Sequence, residues 1–285
     1  MMGARLTHNG DDLVRQRLPL LGILALLAAA PATAQQAPAA NEAADRLATS
    51  PRHGEWVVID TAGGPVTSWV VYPERSDAAP VVVVIHEIFG LTDWIRSVAD
   101  ELAASGFIAI APDLLSGKGP DGGGTSSLEA PVRAIRDLDP AEVKQRLDGV
   151  AEYGVSLPAA IEAFGVVGFC WGGSTSFRYA TQQPQAGAAV VYYGIAPTAE
   201  NLANLSVPVL GLYGGNDNRV NATIEGAREQ LAGGDARYEV EIYAGAGHGF
   251  LRAQDHEQLA AANSSAAAAA WPRTIAFFRE LLEHR

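Results

Sequence analysis

The run "PVVVVIHE" (residues 80–87) leaves this chain few options. Four valines and an isoleucine in succession are β-branched and apolar on both faces, which suits a strand covered on both sides. Such a strand needs parallel neighbours and covering helices, and the chain supplies them in alternation. "TDWIRSVADELAASG" follows, with Thr92 or Asp93 able to cap a helix, Trp94, Val98 and Leu102 at helical spacing, and Gly106 as a stop. "FIAIAPD", "FGVVGF", "GAAVVYYG", "VPVLGLYGGND" and "ARYEVEIYAG" read as further strands. Between or after them come the helical segments "WGGSTSFRYATQQ", "VNATIEGAREQLAG" and "AAAAAWPRTIAFFRELLEHR", the last with Pro272 at a helix start or kinking it. Upstream, "EWVVID" and "VTSWVVYP" flank Gly63-Gly64-Pro65 as a pair of strands around a turn. The alternation predicts an α/β fold with a mostly parallel central sheet and helices on both faces.

One segment breaks the rhythm. Residues 113–139 form a long, glycine-rich connection of the kind that serves as a lid or mobile surface loop, before Asp139-Pro140 opens a helix through about Val155. Gly117-Lys118-Gly119 is no phosphate loop, because glycines and lysine come in the wrong order.

The start of the chain has its own logic. Arg15 and Arg17 precede an apolar stretch from Leu18 to Ala30 and a small-x-small site at Ala32-Thr33-Ala34. This predicts a signal peptide over residues 1–34, cleaved after Ala34, because the stretch is shorter than the ~20 residues a membrane-spanning helix needs. Arg15-Gln16-Arg17 is not a twin-arginine pair, so ordinary export is expected, to the periplasm or the medium. Residues 35–53, rich in Ala, Pro and Gln, read as a linker, and residues 54–285 as the folded domain. The formal net charge is −12, and losing the leader makes the remainder slightly more acidic. An acidic chain without basic runs argues against nucleic acid and, after cleavage of the signal, against a membrane partner. We expect a monomer.

The single cysteine of the chain, Cys170, cannot form an internal disulfide or a cysteine-based zinc site. It lies in Gly168-Phe169-Cys170-Trp171-Gly172, between a buried strand and a helix, and so matches a G-x-nucleophile-x-G elbow with sulfur in place of oxygen. The sharp turn requires small flanking residues, and it places the thiol at a helix N-terminus, whose dipole favours thiolate. Where a nucleophile stands on such an elbow, an acid and then a histidine follow in chain order. Asp217, in a turn after the strand "VLGLYGG", is the candidate acid, and would hold the imidazole tautomer. His248, in the glycine-flanked loop of "YAGAGHGFL", is the candidate base; His256 lies in a charged helical context and His284 is the penultimate residue, so both read as solvated.

At this point the chain resembles the dienelactone hydrolase family of α/β-hydrolases. The resemblance runs from about Glu55 to the C-terminus and rests on "HEIFGL" (86–91), "GFCWGG" (168–173), "GGND" (214–217) and "GAGHGFLR" (245–252). It implies an α/β-hydrolase fold, the triad Cys170, Asp217 and His248, and a role for Glu87 in controlling when the thiolate forms. It implies an oxyanion hole made of the backbone N–H groups of Ile88 and Trp171, and a grip on a substrate carboxylate by Arg252. A second arginine from the long connection, Arg133 or Arg136, is not matched at residue level. Gly249 stands where the family carries serine after the histidine. The expected chemistry is cleavage of a small ester or lactone through a thioester, with no cofactor. No metal is expected, since His86 and Glu87 are adjacent and point to opposite faces of a strand. The alternatives are a general carboxylesterase or thioesterase with the same triad, and a non-catalytic ligand-binding protein on the same scaffold. A thiol redox protein would need a second, resolving cysteine.

Overall fold

The valine run forms β3 (Ala79–Ile85), and every residue of it is buried. Its side chains alternate between two separate cores: Val82 and Val84 join one, and Val81, Val83 and Ile85 the other. The computed structural model describes residues 37–283. The candidate leader, residues 1–34, and His284 lie outside the described residues.

Among the described residues eight strands form one sheet in the order β1-β2-β4-β3-β5-β6-β7-β8. β1 (Gly54–Ile59) and β2 (Val66–Val71) are the antiparallel pair around the Gly63-Gly64 turn, and β2 runs antiparallel to β4 (Ile108–Pro112). From β4 onward the neighbours are parallel: β3, β5 (Ala160–Phe169), β6 (Ala188–Tyr192), β7 (Val209–Gly214) and β8 (Tyr238–Tyr243). This is the α/β-hydrolase arrangement expected from the sequence.

Helices cover both faces. The helices in chain order are α1 (Ala43–Thr49), α2 (Asp93–Ala104), α3 (Pro131–Arg136), α4 (Pro140–Ser156), α5 (Trp171–Ala180), α6 (Ala199–Leu202), α7 (Asn218–Asn221), α8 (Ile224–Leu231) and α9 (Ala260–Leu282). Trp94, Val98 and Leu102 of α2 and Trp271 and Phe278 of α9 pack on one face of the sheet. Val143, Leu147 and Val150 of α4 and Phe177 of α5 pack on the other. Asp139 caps α4 through its side chain, which accepts from Ala141 N–H at 2.9 Å. The long connection contains two short 3-10 turns and α3. No helix among the described residues is long and apolar enough to cross a membrane.

Two expectations need adjustment. Residues 37–53, read as a linker, are docked. Ala37, Ala39 and Ala43 are buried, α1 lies against α2, and Trp94 Nε1 donates to Pro38 O at 3.2 Å. Arg46 reaches Glu101 at 2.6 Å, and Arg52 Nε donates to Asp100 at 3.0 Å. Ala40 N–H donates to Arg252 O at 3.1 Å, so this segment also meets the loop after β8. The segment adheres through alanine methyls, peptide groups and two arginines, which leave no periodicity to read. Pro272 lies inside α9, which removes the helix-start reading and leaves the kink alternative. Pro272 is exposed, as is Ala268, whose carbonyl loses the N–H partner that a proline four residues on cannot supply.

Because β3 and β5 through β8 are parallel, the loops after them open at one edge of the sheet. His86 and Glu87 follow β3, Cys170 follows β5, Tyr193 follows β6, Asp217 follows β7 and His248 follows β8.

Candidate active site

The elbow is built from close backbone approach. Cys170 has φ +56° and ψ −113°, a conformation that non-glycine residues seldom adopt. A side chain at Gly168 would put its Cβ 1.9 Å from Gly172 O, and one at Gly172 would meet Ile85 O at 2.3 Å. The strand, the turn and the helix therefore pack backbone on backbone, and Cys170 N–H donates to Tyr192 O at 3.1 Å. The strained residue is half-buried and its side chain lines a cavity of about 530 Å³.

Asp217 and His248 are in direct contact. His248 Nδ1 lies 2.5 Å from Asp217 Oδ2, and the carboxylate is buried. Asp217 also caps α7, with Oδ1 accepting from Val220 N–H at 3.4 Å, so its orientation is fixed from a second side. With Nδ1–H donated to the carboxylate, Nε2 of the neutral ring carries the free lone pair. The histidine loop is pinned by Gly247 N–H donating to Asn263 Oδ1 at 3.0 Å, and Tyr193 packs edge-on against the imidazole with centroids 5.1 Å apart. His248 and Cys170 line the same cavity.

Glu87 is buried, and its Oε2 lies 2.9 Å from Arg252 Nε. The Arg252 N–H is not aimed along that line, so the contact is an ion pair without a well-formed hydrogen bond. Burial pushes the Glu87 carboxyl up to about 7, against the opposing pull of the Arg252 charge. Burial, and next the Glu87 charge, push the Cys170 thiol up, while the Trp171 N–H and the Arg219 charge pull it partly back. The resting sulfur is thus held as thiol. The family resemblance implies that Arg252 grips a substrate carboxylate; in the structure it lines the cavity, already engaged with Glu87 and lying over the Phe89 ring at 5.3 Å.

A stability consequence follows from the Glu87 environment. Between pH 4.5 and about 7 the folded state binds a proton at Glu87 that the unfolded chain releases, so stability falls as pH rises through that window. The full effect is about 3 kcal/mol for a shift of this size. Glu87→Gln is expected to match the wild type in thermal unfolding at pH 5 and to exceed it at pH 8. Equal midpoints at pH 8 would show that the carboxyl is not held above its ordinary range.

Ile88 and Trp171 both line the cavity, and Ile88 N–H has no protein acceptor among the described residues. Of the two arginines in the long connection, Arg136 lines the cavity, whereas Arg133 is largely exposed, 3.8 Å from Asp137 beside a separate surface hollow. Arg219, Tyr193, Phe89 and Ile195 also line the cavity and were not marked from sequence. Tyr193 is buried with φ +40°, and its hydroxyl has no partner among the described residues. A signal for it existed, since it directly follows a parallel strand at the edge where the other candidates gather. Among the described residues no group of three His, Cys, Asp or Glu side chains is arranged to hold a metal ion.

Comparison with known proteins identifies the family. The model of the dienelactone hydrolase family matches residues 66–282. An Escherichia coli (strain K12) protein named "Putative carboxymethylenebutenolidase" is 30% identical over 267 residues, with 87% of this chain and 97% of that protein covered. A crystal structure described as a "Putative Dienelactone Hydrolase" from Klebsiella pneumoniae subsp. pneumoniae MGH 78578 matches with TM-score 0.69 at 29% identity, over 80% of this chain and 99% of that one. The dienelactone hydrolase of Anabaena variabilis ATCC 29413 shares the fold, with TM-score 0.62 at 22% identity over 81% and 99% of the two chains.

Proposed function

This chain belongs to the dienelactone hydrolase family, a family of carboxylic ester hydrolases, and from that premise we propose that it cleaves small anionic esters or lactones through a Cys170 thioester. The observation that carries the proposal is the 2.5 Å contact between His248 Nδ1 and Asp217 Oδ2, with the imidazole and the Cys170 thiol on the wall of one cavity.

His248 Nε2 takes the thiol proton and Sγ forms a bond to the substrate carbonyl carbon. The carbonyl oxygen becomes an oxyanion held by Ile88 N–H and Trp171 N–H. Collapse breaks the bond to the leaving oxygen, which takes the proton from the imidazolium, leaving a thioester. A water then gives a proton to Nε2 and adds to the thioester carbon. Collapse of this second intermediate returns the proton to Sγ and releases the acid. Asp217 stabilises the imidazolium at both stages. The Glu87 charge disfavours premature thiolate, and Arg252 tempers that charge. A substrate anion drawn to Arg252 would compete with Glu87 for it.

The substrate class follows from charge. Arg136 and Arg219 join Arg252 on the cavity wall, and neither is ion-paired among the described residues. Around them Ile88, Phe89, Trp171 and Ile195 offer apolar surface for the body of a small molecule. The test is a panel of matched esters and lactones with and without a carboxylate. The carboxylate-bearing member is expected to have the lower KM. Arg136→Ala or Arg219→Ala should raise that KM by about tenfold, the worth of one hydrogen bond to a charged group, and leave the neutral member unchanged. Equal KM values across the panel would remove the anionic preference; no turnover of any member would remove the hydrolase assignment.

A further inference from the structure

His86 is fully buried directly behind the cavity, and the mechanism above does not use it. Burial lowers its pKa, so the ring is neutral. Its tautomer is decided by its neighbours. Leu114 N–H donates to Nε2 at 3.2 Å, and a backbone N–H can only donate, so Nε2 is bare and the proton is on Nδ1. Nδ1 lies 2.8 Å from Glu87 O and donates to it. That carbonyl belongs to the same peptide group as Ile88 N–H. The group is planar and trans, so holding its oxygen aims its N–H in the opposite direction. A hydrogen bond at the oxygen also polarises the amide and strengthens its N–H as a donor.

The turn that follows is held as well. Gly90 N–H donates to Glu87 O at 3.2 Å and closes a tight turn in which Gly90 has φ +77°. Thr125 from the long connection accepts Leu91 N–H at 3.0 Å and is itself anchored to Asp113 by two bonds of 2.7 Å. The His86 ring also stacks on Trp171, with centroids 5.7 Å apart and planes 17° from parallel. His86 therefore touches the peptide that carries one candidate oxyanion donor and the ring of the residue that carries the other.

We propose that His86 is a positioning residue that aims and polarises the Ile88 N–H toward the oxyanion, through the peptide carbonyl of Glu87. The inference rests on the hydrolase reading given above. Three variants separate its two hydrogen bonds. His86→Asn keeps a donor near the Nδ1 position and loses the acceptor. His86→Gln keeps an acceptor near the Nε2 position and loses the donor. His86→Phe keeps the stacking ring and loses both.

For each variant, kcat and KM for an activated ester, the alkylation rate of Cys170 by iodoacetamide, and the thermal midpoint are measured. Alkylation uses the thiol and its base but passes through no oxyanion. His86→Phe and His86→Gln are expected to lose about 10²-fold in kcat, the lower end for loss of one oxyanion donor, with KM and alkylation within about threefold of wild type. His86→Asn is expected to recover most of kcat. If His86→Phe fails to fold, the contrast between Asn and Gln decides. Equal kcat for Asn and Gln, unchanged kcat in Phe, or a fall in alkylation parallel to kcat would each overturn the inference. A wild type without ester turnover would overturn the hydrolase reading and this inference with it.

Discussion

Cys170→Ala is expected to lower ester turnover by a factor on the order of 10⁶, the scale seen when the nucleophile of such a triad is removed. Binding surfaces, the donors of Ile88 and Trp171, and the Asp217–His248 pair would all remain, so the loss would fall on kcat while KM stays within a fewfold. The cavity wall is not strained by the change: the backbone of residue 170 keeps its unusual φ and ψ with either side chain. Cys170→Ser is the sharper version. Serine is smaller than cysteine and keeps the polar end, yet a neutral hydroxyl at this site is a much poorer nucleophile than the thiolate. We expect it to fold, with a thermal midpoint near that of wild type, and to retain only a small residue of activity. Near-normal rates in Cys170→Ser would contradict a thiolate mechanism, and near-normal rates in Cys170→Ala would move the chemistry elsewhere.

The second large effect is expected at His248. His248→Ala removes the group that would take the thiol proton, in a setting where burial and the Glu87 charge already oppose thiolate. Turnover should fall by a factor on the order of 10⁴ or more, and alkylation of Cys170 at neutral pH should slow with it. The coupling of the two readouts is the test, since it distinguishes loss of the base from loss of the substrate site. Raising the pH should restore alkylation in the variant as the thiol ionises unaided. Alkylation kinetics unchanged by His248→Ala would take the imidazole out of the proton path, whatever its contact with Asp217.

Much of this architecture was legible in the residues. Alternating valines that feed two cores announce themselves as "VVVVI", and a cysteine between glycines after a strand announces a turn that only small neighbours permit. Asp217 and His248 were singled out by the same rule, because residues just past parallel strands share one edge, and the structure puts them in contact. What escaped the sequence is long-range. The Glu87–Arg252 ion pair joins positions on loops after β3 and β8, and no local pattern encodes it. Arg133 and Arg136 differ by three residues on one short helix, and only the docking of α3 turns one inward and the other to solvent. Tyr193 reads as one more aromatic in an apolar run. The segment before β1 reads as a tether because its anchors, alanine methyls, peptide groups and two arginines, look the same as those of a free chain.

That segment has a consequence for the cavity wall. Ala40 N–H holds the carbonyl of Arg252, and Gln254 Nε2 donates to Pro38 O at 3.2 Å. The first described residues are therefore a buttress for the arm that would clasp the anionic end of a ligand. A shortened protein opening at β1 would keep its whole sheet and lose that buttress, and its selectivity would loosen before its catalytic rate did.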